Sequence, residues 1–199
     1  MIRIKNLEKG YTLIELLAVM IILITVGGIV TAIITSSLRG GNRSVTVNEV
    51  RQEGNFAITQ MAKMIRYSQG FDGASVNGSS YDPNCIVTLP PPPSPTPTPI
   101  KYKYLKFTNF DGGQTEFICK DNASDSPKTI SSNSANLINA REVTIDQGSC
   151  YFICRQSNTA LPPSIDIYFT LSATGSSSFI ENKLSVPFST SVVFRNSGD

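Results

Sequence analysis

Histidine is absent from this 199-residue chain. That absence removes histidine-based triads, Cys–His nucleophile pairs, most zinc sites and the usual general base together. Charge is scarce as well: charged residues make up 16% of the chain, and 17 basic against 15 acidic residues leave a net charge of +2. A nucleic-acid binder is expected to carry a strongly basic patch, and no run rich in Lys and Arg occurs beyond the short N-terminus. Proline does not occur between Met1 and Asp82, so nothing there forbids a long helix. With no histidine and only scattered acids, the chain shows no catalytic set, and no enzyme and no cofactor are expected.

Cysteine is also missing from the N-terminal part: Cys85, Cys119, Cys150 and Cys154 all follow the apolar segment described below. An even count in such a position suits disulfides in an oxidising compartment. A four-cysteine zinc site is the rival, but it normally uses two close pairs, and only Cys150-x-x-x-Cys154 comes near that spacing. Four cysteines allow three connectivities. If Cys150 to Cys154 is extended, its ends lie about 13 Å apart, beyond the roughly 7 Å that a disulfide spans. Each then reaches for Cys85 or Cys119. A tight turn at Tyr151-Phe152-Ile153 would reverse this, and three large residues argue against one.

What is present is a greasy N-terminus. Met1 to Gly10 is polar and basic, with Arg3, Lys5 and Lys9 against Glu8, and Leu13 to Ile34 then runs 22 residues with Glu15 as its only charge. A helix of that length spans roughly 33 Å, enough for a bilayer's hydrocarbon core. Positive charge ahead of it favours a cytoplasmic N-terminus. A secretory signal peptide fits badly, since its apolar region covers about 7–15 residues before a small-residue cleavage site. A plain single-pass anchor explains the length and the flanking charges. It does not explain Glu15, because an acid at membrane depth is costly and marks function by default.

The helical pattern continues beyond this run. Val47, Val50, Gly54, Ile58, Met61 and Ile65 recur at spacings of 3, 4, 4, 3 and 4, with most polar neighbours off that stripe. The spacing predicts one helix over residues 11–69, bending if anywhere at Gly27-Gly28, Ser36-Ser37 or Gly40-Gly41. From Gly70 onward Gly, Ser, Asn and Pro become frequent and the helical period is lost. Candidate strands are Lys101–Thr108, Thr115–Lys120, Glu142–Ile145, Cys150–Arg155, Ser164–Leu171 and Lys183–Phe194. Phe110 to Gln114 reads as a hairpin turn. The expectation is an α+β protein with the helix laid across an antiparallel sheet.

Leu89 to Pro99 is a low-complexity proline tract, most simply an extended spacer, with residues 90–99 as an exposed loop. Recognition by a proline-binding partner, or glycosylation at Ser94, Thr96 and Thr98, are its other readings. Asp121 and Asp125 sit in a loop-rich stretch as possible calcium ligands, but no D-x-[DN]-x-[DN]-G loop is present.

Gly10 followed by Tyr11-Thr12-Leu13-Ile14-Glu15-Leu16-Leu17 and an apolar run resembles the processing signal of type IV pilins and type II secretion pseudopilins. The likeness covers the first thirty or so residues and is specific there. Tyr11 departs from the family's usual Phe or Met, and the proline that many pilins carry in the first helix is missing. The stretch Arg51 to Gln69 and the tail from Val186 to Asn196 look like minor pilins and J-type pseudopilins. The resemblance implies a cytoplasmic leader of residues 1–10, cut by a prepilin peptidase between Gly10 and Tyr11. It implies a long helix over 11–69 with its transmembrane part at about 13–34, and a β-rich head over 70–199. It further implies a single-pass subunit that leaves the inner membrane, its lipid and its assembly machinery for an extracellular helical filament of other pilin subunits, with Glu15 as an assembly residue. A pseudopilin of a secretion or DNA-uptake system, and a membrane-anchored binding module, are the alternatives; DNA or a surface ligand is not specified by the motif.

Overall fold

The computed structural model describes residues 10–85, 99–158, 161–174 and 184–195, leaving aside the side chain of Asn42. Residues 1–9 of the expected leader, the proline tract from Leu89 to Thr98 with Ser94, Thr96 and Thr98, Lys183 and Asn196 lie outside the described residues. The architecture is one long N-terminal apolar helix followed by antiparallel sheets. The chain divides into two compact units, Met1–Val45 and Thr46–Asp199.

Helix α1 covers Leu13–Arg66, and Gly27, Gly28, Gly40 and Gly41 all fall inside it. Its end has local causes. Lys63 and Arg66 place positive charge in the last turn, which complements the negative end of the helix dipole. The Ser68 hydroxyl donates to the Ile65 carbonyl at 2.7 Å, satisfying one of the carbonyls a helix end leaves open. The chain then enters β1 (Ser68–Ser75) at once, so Gln69, expected in the helix, lies in a strand.

Five strands form the first sheet in sequential order: β1, β2 (Tyr104–Asn109), β3 (Gln114–Lys120), β4 (Thr129–Ser132) and β5 (Ala135–Asn136). The second sheet is built around β8 (Ser164–Ala173), which pairs with β6 (Val143–Ile145) and β7 (Tyr151–Arg155) and along nearly its whole length with β9 (Ser185–Val193). All pairings are antiparallel. One sheet was expected and two are present; between them Tyr102, just ahead of β2, and Phe152 of β7 exchange backbone hydrogen bonds of 2.8 Å, and the Ile145 N–H of β6 donates to Lys128 O, just ahead of β4, at 3.4 Å. The reason is that β8 is long enough to recruit three partners of its own, while β1 to β5 follow one another as neighbours.

The sequence reading missed β1, β4 and β5. β1 is rich in Gly and Ser and carries two register shifts against β2, so its propensity is poor. It forms because β2 and a bridge to Asp82 satisfy its backbone. Gly73, at φ +145, is required there, since a Cβ would come within 2.9 Å of the Asp82 carbonyl oxygen. The expected hairpin turn is present: the Asn109 N–H donates to Gly113 O at 2.8 Å, the Gly112 N–H donates to Asn109 O at 3.0 Å, and Gly112 holds φ +77.

Within the second unit, α1 buries Val50, Gly54, Ala57, Met61 and Ile65. Ala57 replaces Ile58 in the expected stripe; Ile58 is only half-buried and Val47 likewise. In the same buried cluster are alternate strand residues, Leu105 and Phe107, Phe117, Ile165, Ile167, Phe169 and Leu171, as strand alternation requires. Phe107 meets Phe117 edge-on at 5.1 Å, and Phe71 and Phe194 join the same cluster.

Gly54 sets the depth of this packing. A Cβ there would lie 2.1 Å from Cζ of Phe188, and that ring is held by stacking on Phe169 at 5.2 Å. Gly54→Leu is therefore expected to cost about 1–3 kcal/mol through overpacking. Gly54→Ala should cost less, because helix propensity returns roughly 1 kcal/mol. Phe188→Leu should soften both losses in a double-mutant cycle, measured by chemical denaturation in detergent; additive effects would show that the ring does not set the limit.

Candidate functional site

Thr12 precedes α1 and caps it. Its carbonyl accepts the N–H groups of Glu15 and Leu16 at 3.1 and 3.2 Å, and its hydroxyl accepts the Glu15 N–H at 3.4 Å. Thr12-x-x-Glu15 is thus the capping-box pattern, with the acid in the first turn where the dipole favours it. The sequence reading did not draw this role, although Thr-x-x-Glu ahead of an apolar run is its signal. Gly10, Tyr11 and Glu15 are all exposed. Among the described residues the ion pairs are Lys103–Asp121 and Arg155–Asp166, so Glu15 forms none here.

Behind Glu15, the helix carries an 18-residue window of mean hydropathy 2.8, none of it buried. It is the one helix among the described residues long and apolar enough to cross a membrane. Its large apolar side chains, from Leu13 to Leu38, are exposed. Its hydroxyls turn inward: Thr25 donates to Ile22 O at 2.9 Å, Thr31 to Gly27 O at 2.8 Å and Thr35 to Thr31 O and Ala32 O at 3.0 Å. A donor that returns to its own helix needs no partner from outside, which suits an apolar solvent.

The cysteines pair as Cys85–Cys154 and Cys119–Cys150, with Cα atoms 5.4 and 5.6 Å apart. β7 is extended, so Cys150 and Cys154 cannot reach each other and take separate partners. Closing loops of 69 and 31 residues is worth roughly 3–5 kcal/mol each in the chain-entropy account.

Beside the second bridge sits a partly buried charge cluster that sequence spacing did not show. Lys103 Nζ donates to Asp121 Oδ1 at 2.6 Å and to the Cys150 carbonyl at 2.5 Å, and the Cys150 N–H donates to Asp121 Oδ2 at 2.9 Å. Asp121 is buried. Both its oxygens are occupied, and Asp125 accepts the Asn122 N–H at 2.8 Å, so the pair weighed as calcium ligands serves the fold instead. Among the described residues no cluster of three metal-ligating side chains occurs. Elsewhere, burial and a hydrogen bond to Glu116 raise the Tyr81 phenol well above its ordinary pKa, and burial raises that of Tyr102.

Set against protein-family models, curated proteins and solved structures, the chain matches none of them.

Asp121→Ala is expected to lower stability by about 1–3 kcal/mol, because it leaves the buried Cys150 N–H without an acceptor and takes the partner from a Lys103 ammonium that is still partly exposed. The pair Asp121→Asn with Lys103→Met should recover part of that loss, since the Asn oxygen still accepts the Cys150 N–H and no unpaired charge remains. Denaturant midpoints of oxidised protein check both.

Proposed function

We propose that this chain is a structural subunit, of the minor kind, of a type IV pilus-like filament. The carrying observation is the arrangement at one end of α1: Gly10, then a capped Thr12–Glu15 turn, then an uncovered apolar helix. The disulfide-bonded antiparallel head supports the reading, because such cross-links belong to oxidising compartments. A prepilin peptidase cuts after Gly10, leaving a membrane-held subunit with its N-terminus cytoplasmic. The subunit then moves into the filament, where helices bundle inside and β-rich heads lie outside.

Glu15 is the register device. Cleavage frees the amine of Tyr11, whose reference pKa of about 7.7–8.0 leaves it largely cationic near neutral pH. Residues 11 and 15 share a helix face. The carboxylate pairs with its own amine or with that of a neighbouring subunit. An unpaired charge at membrane depth costs several kcal/mol, so a subunit docked out of axial register is disfavoured.

The capping pattern favours a second reading, a membrane-anchored binding module in which Glu15 serves only its own helix end. The two readings part at one substitution. Gln satisfies the third position of a capping box as Glu does, but carries no charge.

Two outcomes are expected. Protein taken from membranes that contain its native peptidase should begin at Tyr11, with 189 residues remaining from 199 − 10; an intact mass for any other start would sink the assignment. Glu15→Gln and Glu15→Ala should both be inserted and cleaved, yet their share in sheared fibres relative to membranes should fall about tenfold or more, a docking loss of about 1.4 kcal/mol. A normal share for Glu15→Gln would show that the charge is not the register device, and absence of the wild-type chain from sheared fibres would return it to the anchored-module class.

A further inference from the structure

We infer that the cleft between the C-terminal end of α1 and the β2–β3 hairpin binds a neutral saccharide chain. The cleft has a volume of about 640 Å³; α1 and the residue after it contribute Gln60, Lys63 and Tyr67, and the hairpin contributes Asn109, Phe110 and Asp111.

Two aromatic rings there have no structural employment. Phe110 is 65% exposed and Tyr67 is 54% exposed, and neither belongs to the core. The turn that carries Phe110 is closed by Gly112, by the Asp111 Oδ1 that accepts the Gly113 N–H at 2.9 Å, and by backbone bonds. Nothing in such a turn calls for an aromatic residue. Met64 adds apolar surface between polar side chains in the same open cleft, and exposed rings beside such a mixture suit a ligand with both apolar and polar faces.

The polar groups around the rings are unspent. Among the described residues, the Gln60 amide and the Lys63 ammonium have no hydrogen-bond or ion-pair partner. Asn109 donates to Thr115 Oγ1 at 2.8 Å and keeps its amide oxygen free, and Asp111 keeps Oδ2 free. The cleft therefore offers donors and acceptors together, beside two aromatic side chains. A pyranose is the matching solute: one face is a patch of weakly positive C–H groups that packs on the negative face of an aromatic ring, and its hydroxyls both donate and accept. One cation and one anion line the cleft, which gives a polyanion no advantage. An apolar peptide would strand Gln60, Lys63 and Asp111 without partners. Turn and helix are both hydrogen-bonded in place, so little ordering is lost on binding. The inference holds for a filament subunit and for an anchored module alike.

The test uses the full chain in detergent, with cellotetraose, maltotetraose and chitotetraose as probes and saturation-transfer NMR as readout. At least one probe should bind with its ring C–H protons against the protein. Phe110→Ala and Tyr67→Ala should each weaken that binding about tenfold, the equivalent of roughly 1.4 kcal/mol, with the thermal transition unchanged because both side chains are exposed. Absence of binding by all three tetrasaccharides up to about 10 mM, well above a Kd worth roughly 4 kcal/mol, would overturn the inference. So would unchanged binding in both variants, or tighter binding of a sulfated tetrasaccharide than of every neutral probe.

Discussion

The second unit rests on one narrow contact: the stripe Val50, Gly54, Ala57, Met61 and Ile65 on α1, closed over by strand side chains. Among the described residues the two sheets are joined by few backbone hydrogen bonds, at Tyr102–Phe152 and Ile145–Lys128, and by the Cys119–Cys150 disulfide, and a common frame needs more than these. The helix supplies that frame, because residues of both sheets bury their inward faces in the same cluster. Its width is limited to small and medium residues at the centre, and Gly54 is the tightest point, with the Phe188 ring where a side chain would begin. Burial of this kind is non-directional and large, and it overrides the weak local preferences of segments such as β1.

The loop-rich side of the fold is secured differently. Cys119–Cys150 and the Lys103–Asp121 pair lie on the same backbone group, since Cys150 donates its N–H to Asp121 and accepts from Lys103 through its carbonyl. A covalent bond and a charge-assisted cluster therefore hold one position from two directions. Such pairs contribute more by excluding alternatives than by net free energy, as desolvation offsets much of their attraction. Cys85–Cys154 ties the far end of β7 to a residue four positions ahead of the proline tract. Between them the bridges limit how far the connections can wander without requiring long strands in that region.

The first unit follows a different rule. Its apolar side chains are turned outward and its hydroxyls inward. That is the reverse of a surface helix in water, and it is the arrangement an apolar solvent or a bundle of like helices rewards. The same α1 thus carries an all-round apolar stretch and, later, a one-sided stripe. Glu15 stands at the boundary where the chain begins its helix; Thr12 caps its backbone N–H, and an acid in the first turn suits the helix dipole.

Much of this was open to reading from residues in order. The long helix follows from the missing proline and the apolar run, because both act within a few residues of each other along the chain. β2, β3, β7, β8 and β9 follow from alternation and from β-branched and aromatic residues. The separate partners of Cys150 and Cys154 follow from the reach of an extended strand, but which of Cys85 and Cys119 each takes does not. Tertiary structure decided that pairing, as it decided the division into two sheets, the strand at the Gly- and Ser-rich Ser68–Ser75, the substitution of Ala57 for Ile58 in the buried stripe and the union of Lys103 with Asp121. The cleft beside Phe110 belongs to the same class, since its walls come from segments more than forty residues apart. Local pattern records what a residue prefers among its neighbours in sequence. Which distant surfaces close on one another is set by how much apolar area the whole chain buries at once, and no single segment carries that information.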